Sequence, residues 1–302
     1  MPALRISANG MIWAAKAERP KVAEEYKILN REYLFSNAHT HSTYCDGKFS
    51  PEDMVKAALE KGFHTLGFSG HSPLPGQDWT LRDPQAYRAE VARVKKAYAG
   101  KINVFCGIEW DGDSPADQRE NYDYVIGSVH RLYGPKTGKS YEADHKLEFL
   151  EDCKANEFEG DGLAMALEYL KLVNKMVDIH PDILGHMDLI RKLNQGCRLF
   201  DENVKPYLQA SLEVLEKAAR ADVLVEINTG GAYRGYRNDF YPKSCLLPEF
   251  ARMGGKLILT SDSHDTKGIG YRFEDAAEGA KKAGFKELYA LTAKGFEPFE
   301  IV

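Results

Sequence analysis

The sequence predicts an α/β protein organised on a parallel sheet, and three observations point there. Short apolar runs rich in Val, Ile, Leu and Phe alternate with helical patterns along the 302 residues. About seven such β-then-α units follow one another, an order that implies parallel strands. Most of the runs lack in/out alternation, as expected of strands covered on both faces.

Strands are expected at 33–41, 65–71, 103–111, 124–130, 182–188, 222–229 and 256–264. Between the first two, Ser50-Pro51-Glu52-Asp53 opens a helix. Ser50 can cap, Pro51 suits the first turn, and the two acids favour the helix dipole. Gly62, after Lys61, closes it. Pro84 opens a second helix that stops at Gly100, and long amphipathic patterns occupy 161–178 and 203–221. Shorter ones fall at 248–253 and 274–283, the last ended by Gly284. Residues 131–160, with Gly134, Pro135 and Gly138, read as a long connection of the kind that often faces a substrate. Residues 1–30 read as an N-terminal arm, and 31–302 as a single catalytic domain. Such units either close into a barrel or open as a doubly wound sheet. No Gly-rich dinucleotide fingerprint follows the first strand, which weakens the open, nucleotide-binding version.

The formal net charge of −5 and pI near 6.0 leave no electrostatic footprint for nucleic acid or an anionic membrane. A small anionic substrate stays open, because a few local cations can bind one. Five cysteines, at 45, 106, 153, 197 and 245, are odd in number and form no C-x-x-C. That pattern fits a reducing cytoplasm better than a disulfide framework. Met11 to Ala15 is too short an apolar patch for a signal peptide, and no run reaches the length of a membrane span.

The chemistry concentrates at strand ends. Six of nine histidines end, or nearly end, expected strands: His39 and His41, His71, His130, His186 and His264. Asp46, Glu109 and Asp262 stand in matching places. Parallel βα architectures gather all strand C-termini on one face, where active sites form. Imidazoles and carboxylates together bind borderline divalent ions such as Zn, Fe and Mn. In His39-x-His41 and Asp262-x-His264 the two side chains share a strand face, so both can reach one ion. A lone strand-end histidine is more often a satisfied buried side chain; it is the joint pattern of nine that points to metal. His64, His145 and His180 fall outside it.

The motifs NAHTHSTYCDG (37–47), GFSGHSPLP (67–75), GIEWD (107–111), YDYVIGSVH (122–130), DILGHMDLIRK (182–192), EINTGG (226–231) and LTSDSHD (259–265) resemble, in order, those of the polymerase-and-histidinol-phosphatase (PHP) superfamily. The resemblance implies a distorted (β/α)7 barrel, TIM-like, with a trinuclear metal site at the strand C-terminal face. It assigns His39, His41, Glu109 and Asp262 to one ion. Glu109 would bridge to a second, held also by His130 and His186, and Asp46, His71 and His264 would hold the third. HSTYCDG, HSPLP followed by DWTLRD, GHMDLIRK and Tyr241-Pro242-Lys243 are more similar to histidinol-phosphate phosphatases than to other branches. Many relatives carry an acid before the third-motif histidine, where Gly70 stands here, and the stretch 230–235 also departs from the usual pattern.

The activity so implied is hydrolysis of L-histidinol phosphate to L-histidinol and phosphate, a step of histidine biosynthesis, in the cytoplasm. A hydroxide between the two ions sharing Glu109 would attack phosphorus, since a metal lowers the pKa of water to about 7. Asp262 and His264 are the candidates for passing a proton to the leaving oxygen. Arg191, just past the His186 strand end, could clamp phosphate bidentately, with Arg234, Arg237 and Lys243 as further candidates. Trp79 could wall the imidazole of the substrate. The alternatives are another phosphoesterase on this scaffold, acting on nucleotides or phosphotyrosine or as a nuclease, a C–N hydrolase, and a non-catalytic metal-binding module. No lysine ends the 124–130 strand, which weakens the C–N hydrolase; no ligand is missing, which weakens the last.

Overall fold

The computed structural model describes residues 31–74, 76–112, 114 and 119–302; the arm expected over 1–30 lies outside them. The strands are β1 (Ser36–Asn37), β2 (Thr65–His71), β3 (Asn103–Asp111), β4 (Val125–Ser128), β5 (Arg131–Tyr133), β6 (Ser140–Glu142), β7 (Ile183–Leu184), β8 (Leu224–Asn228), β9 (Leu257–Thr260), β10 (Glu287–Thr292) and β11 (Gly295–Glu300). Among the described residues, nine of them form one sheet in the order β1-β2-β3-β4-β7-β8-β9-β10-β11. Every neighbouring pair from β1 to β10 is parallel, and β10–β11 is antiparallel. The molecule is therefore mixed α/β on a mostly parallel sheet.

Three of the helices start where a side-chain cap places them. The hydroxyl of Ser50 accepts from Asp53 N at 3.2 Å, ahead of Pro51–Glu60. Asp83 and Asp161 accept from Ala86 N and Ala164 N at 2.9 Å, ahead of Pro84–Ala97 and Gly162–Met176. Lys205–Arg220 packs on Gly162–Met176, its Tyr207, Val214 and Leu215 buried. Capping of this kind typically contributes about 1 kcal/mol per helix; burial of the apolar stripes contributes the rest.

The first strand is shorter than expected over 33–41, because Glu32–Leu34 winds into a 3-10 turn. Beyond Asn37 the chain still runs beside the segment after β9. Thr40 bridges Ser263 in parallel, His41 N donates to Ser263 O at 2.8 Å, and Ser263 N donates to His39 O at 3.2 Å. The His-x-His and Asp-x-His pairs are thereby zipped together by backbone hydrogen bonds.

A small apolar cluster of Ala38, Tyr124, Ile126, Ile183, Leu224, Ile258 and Leu291 is buried apart from the main core. Ala38, Ile126, Ile183 and Ile258 precede His39, His130, His186 and Asp262 in the chain, so the cluster lies beneath the polar end. Tyr124 donates to Ala38 O and, at 3.2 Å, to Phe68 O. Gly67 and Gly107 make room for its ring: a Cβ on either would stand 2.3 Å from a Tyr124 atom.

Two stretches differ from expectation. Residues 131–160 are not an irregular connection but the β5–β6 hairpin followed by the helix Leu147–Glu157. Buried Glu157 reaches back to the hairpin tip, accepting from Lys136 N (3.0 Å), Thr137 N (3.2 Å) and Tyr141 Oη (3.2 Å). Gly134 permits the approach, since a Cβ there would lie 2.1 Å from the Glu157 carboxyl carbon. The terminal β10–β11 pair was not expected either; its outer strand carries Glu297, Pro298 and Glu300.

Candidate metal centre

The nine strand-end histidines and carboxylates converge at one end of the sheet. His39 and His41 follow β1, His71 ends β2, Glu109 lies in β3, His130 follows β4, His186 follows β7, and Asp262 and His264 follow β9. Most of these side chains are buried, yet His39 Nε2, His41 Nε2 and Glu109 Oε2 have no hydrogen-bond partner. Orphaned buried polar atoms are costly, and buried charges are normally paired or bound to cations.

The spacing fits a cation. His39 Nε2 lies 3.3 Å from Glu109 Oε2 and 3.6 Å from Asp262 Oδ1; His41 Nε2 lies 3.4 and 3.2 Å from the same two oxygens. A tetrahedral ion with ligands at about 2.0–2.1 Å needs ligand–ligand edges of roughly 3.3 Å. Glu109 faces a second group with its other oxygen: Oε1 is 3.2 Å from His130 Nε2 and 2.9 Å from His186 Nε2. Asp46 gathers a third group, with His264 Nε2 at 2.9 Å, and His71 Nε2 and His41 Nδ1 at 3.5 Å. His71 also turns Nδ1 to Glu109 Oε2 at 2.9 Å.

Electrostatics hold these carboxylates ionised against their burial. Burial alone would raise Glu109, but His71, His39 and His130 hold it well below the usual range. Burial likewise opposes the charge on Asp262; Arg234 and His39 overcome it and hold it well below. Burial, with His264 and His71 alongside, pushes His41 down to about 3, so it stands as a neutral donor. Asp262 adopts a left-handed backbone (φ 46°). Asp tolerates that region better than most residues, and such conformations cluster at functional sites.

Two carboxylates absent from the expected set hold the imidazoles from behind. Glu226, in β8, lies 2.8 Å from His39 Nδ1, and Asp111, in β3, lies 3.0 Å from His130 Nδ1. Outer carboxylates of this kind fix the tautomer that leaves Nε2 free to bind. Both were legible: Glu226 is a charge inside the apolar run VLVEIN, and Asp111 shares a strand face with Glu109 two residues before it.

A cavity of about 370 Å³ opens over the centre, walled by Trp79, Leu189, Lys192, Arg234 and Tyr236 among others. Trp79 packs edge-on to His71, ring centroids 4.8 Å apart. Arg234 reaches the site but spends its guanidinium on Asp262, with NH1 to the main-chain oxygen and NH2 to Oδ2, both at 2.8 Å.

Arg191, Arg237 and Lys243, expected to meet phosphate, do not line this cavity. Arg191 is wholly buried and surrounded by Asp188, Glu202 and Asp239, the first two at 2.9 Å. Arg237 donates to Glu202 at 2.9 Å, and Lys243 lies 3.6 Å from it. The cause lies in the partners: Asp188 stands three residues before Arg191 within its motif, but Glu202 and Asp239, which complete the ring of carboxylates, lie outside it. The cation that does reach the cavity is the next residue, Lys192, 2.8 Å from Asp144. Gly70 is also explained. A Cβ there would stand 2.9 Å from Leu81 Cδ2 and 3.5 Å from Cys45 Sγ, so an acid would require Leu81 to shift.

Burial would raise the Asp144 carboxyl, but Lys192, with His130 and His186 nearby, pulls it down to about 2. An unfolded Asp titrates near 3.9. A carboxyl depressed on folding contributes stability above the unfolded value and loses it as pH falls through the folded one. The stability difference between the native chain and Asp144→Asn should therefore shrink from about pH 4 to about pH 2. Urea melts across that range check it; a constant gap would remove the ion pair from the account.

A mostly parallel α/β sheet carrying clustered imidazoles and carboxylates at its strand ends defines the class: a protein with a candidate polynuclear metal centre. The PHP domain model matches residues 37–230, and the chain belongs to that family. Histidinol-phosphatase of Bacillus subtilis is 23% identical over 262 residues, 79% of this chain and 96% of the relative. A Deinococcus radiodurans protein named "Probable histidinol-phosphatase" is 27% identical over 262 residues, 82% of this chain and 93% of the relative. A solved structure, histidinol phosphate phosphatase of Lactococcus lactis with zinc, L-histidinol and phosphate, superposes with TM-score 0.64 at 24% identity, covering 86% of this chain and 98% of that one.

Proposed function

We propose that the chain hydrolyses L-histidinol phosphate, taking up one water and releasing L-histidinol and phosphate, in the biosynthesis of histidine in the cytoplasm. The observation that carries this is Glu109 standing between two imidazole groups, behind His71, His130 and His186, which line an open cavity. The names of the Bacillus and Deinococcus relatives support the substrate, as do the L-histidinol and phosphate bound to the Lactococcus enzyme. Its zinc supports a divalent metal, with Fe or Mn chemically equivalent for these ligands. Five unpaired cysteines suit the reducing compartment. Among the described residues no helix is long and apolar enough to cross a membrane.

The junction of the segments after β1 and β9 supports closure of the sheet as a distorted seven-unit barrel, with 31–302 acting as one catalytic unit. His39, His41, Glu109 and Asp262 would hold one ion; Glu109, His130 and His186 a second; Asp46, His71 and His264 a third. Bound divalent ions lower the pKa of water from 15.7 to about 7 and offset the charge of a phosphate. The chain's own residues do the rest. Arg234 fixes Asp262 from both its main-chain and side-chain oxygens. Lys192 and the rim of Arg234 place positive charge where the ester oxygens enter. Trp79 offers an aromatic wall for the imidazole. His264 turns Nε2 to Asp46 at 2.9 Å and Nδ1 to Asp262 at 3.6 Å, which orients it for the third ion.

Turnover of L-histidinol phosphate should exceed that of nucleotides and phosphotyrosine, and should vanish when chelation strips the metal and return on its restoration. Faster turnover of a nucleotide or phosphotyrosine would reassign the substrate. Full activity in protein verified free of metal would end the metal reading.

A further inference from the structure

Glu226 is one of the few carboxylates with no exposure at all. Its two oxygens serve different parts of the centre. Oε2 lies 2.8 Å from His39 Nδ1 and accepts from Thr260 Oγ1 at 2.8 Å. Oε1 accepts from the backbone N of His186 at 2.5 Å and from Asn228 Nδ2 at 2.8 Å. His39 belongs to the first group around Glu109, and His186 to the second. His186 has no such support at its own ring, where Nδ1 lacks a partner. Its placement therefore depends on its backbone, and Glu226 holds that backbone.

Asp111 provides the contrast. It meets the ring of His130 at 3.0 Å and the His130 backbone N at 3.2 Å, both within one group.

We infer that Glu226 is a positioning residue that couples the two groups sharing Glu109, so that their cations are gained and lost together. The inference rests on the metal reading proposed above. It needs a carboxylate, because both oxygens act as acceptors. An amide has one acceptor oxygen and one donor nitrogen. With the nitrogen toward His39, it donates to Nδ1 and drives the proton onto Nε2, where a cation should sit. With the nitrogen toward His186, it confronts the backbone N–H, and two donors repel. Either way one group is disturbed directly, and the other, tied to it through the same side chain, is weakened with it. Glu226→Asp keeps the charge but retracts the carboxylate by one methylene, too far to hold both neighbours.

The test is metal affinity rather than turnover. Native protein, Glu226→Gln, Glu226→Asp and Asp111→Asn are titrated with zinc against a competing chelator, and bound zinc is counted by elemental analysis. Melting curves in excess chelator report whether each metal-free variant keeps its fold. Outer-sphere changes typically weaken metal binding roughly 10–100-fold. Glu226→Gln should weaken two binding steps by about that factor, and Glu226→Asp should weaken the same two steps less. Asp111→Asn should weaken one step. A folded Glu226 variant that binds every equivalent with native affinity overturns the inference, and so does loss of a single step. Unfolding of both Glu226 variants without metal would assign the residue to the fold alone and overturn it too. Native protein that binds no zinc would instead defeat the metal reading itself.

Discussion

Glu109→Gln should lose at least a hundredfold in kcat/KM, beyond the roughly 10–100-fold range of losses outside the ligand set. Glu109 Oε2 faces His39 (3.3 Å), His41 (3.4 Å) and His71 (2.9 Å), whereas Oε1 faces His130 (3.2 Å) and His186 (2.9 Å). Gln is nearly isosteric, so packing survives. It nevertheless points an amide N–H into one imidazole group or the other. It also removes one negative charge from a centre crowded with imidazoles, which weakens every cation there. Metal content by elemental analysis should fall together with turnover, while the melting temperature in chelator stays close to native. Near-native rates with native metal content would remove Glu109 from the centre.

Arg191→Ala should act on stability instead, by about 3–5 kcal/mol, the usual consequence of removing one partner from a buried ion pair. Its guanidinium is wholly buried against Asp188, Glu202 and Asp239. Burial already pushes Asp188 upward, against the pull of Arg191. Without the guanidinium, a carboxylate with no exposure would protonate or draw in water. Arg191→Lys should recover only part of the loss, because one ammonium cannot serve three carboxylates in a planar fork. Urea denaturation measures the effect. KM for the phosphate ester should hold steady in the fraction that remains folded. A raised KM at native stability would return Arg191 to the substrate site.

These two residues show what was legible in the sequence. Glu109 could be read because a strand-end position is a local property: the apolar run before it fixes the strand, and its end fixes the face. The same logic located His39, His41, His71, His130, His186, Asp262 and His264. Arg191 could not be read that way. Which neighbour of a turn points outward depends on partners from elsewhere in the chain: here Glu202 and Asp239 capture Arg191 and leave Lys192 to the cavity. The β5–β6 hairpin was hidden for a similar reason. Three-residue strands carry little periodicity, and the Glu157 contacts that shape the tip come from the following helix. Glu226 was visible as a charge in an apolar strand, but its two-sided role appears only when β1 and the segment after β7 flank it.

The outer strand of the terminal pair has a colloidal consequence. An unpaired strand edge is a template on which further chains can stack. Among the described residues β11 is the outermost strand, and it presents Glu297, Pro298 and Glu300 there, so a stacking neighbour would meet two negative charges and a residue with no N–H to share. Growth of fibrils from this side is thereby discouraged.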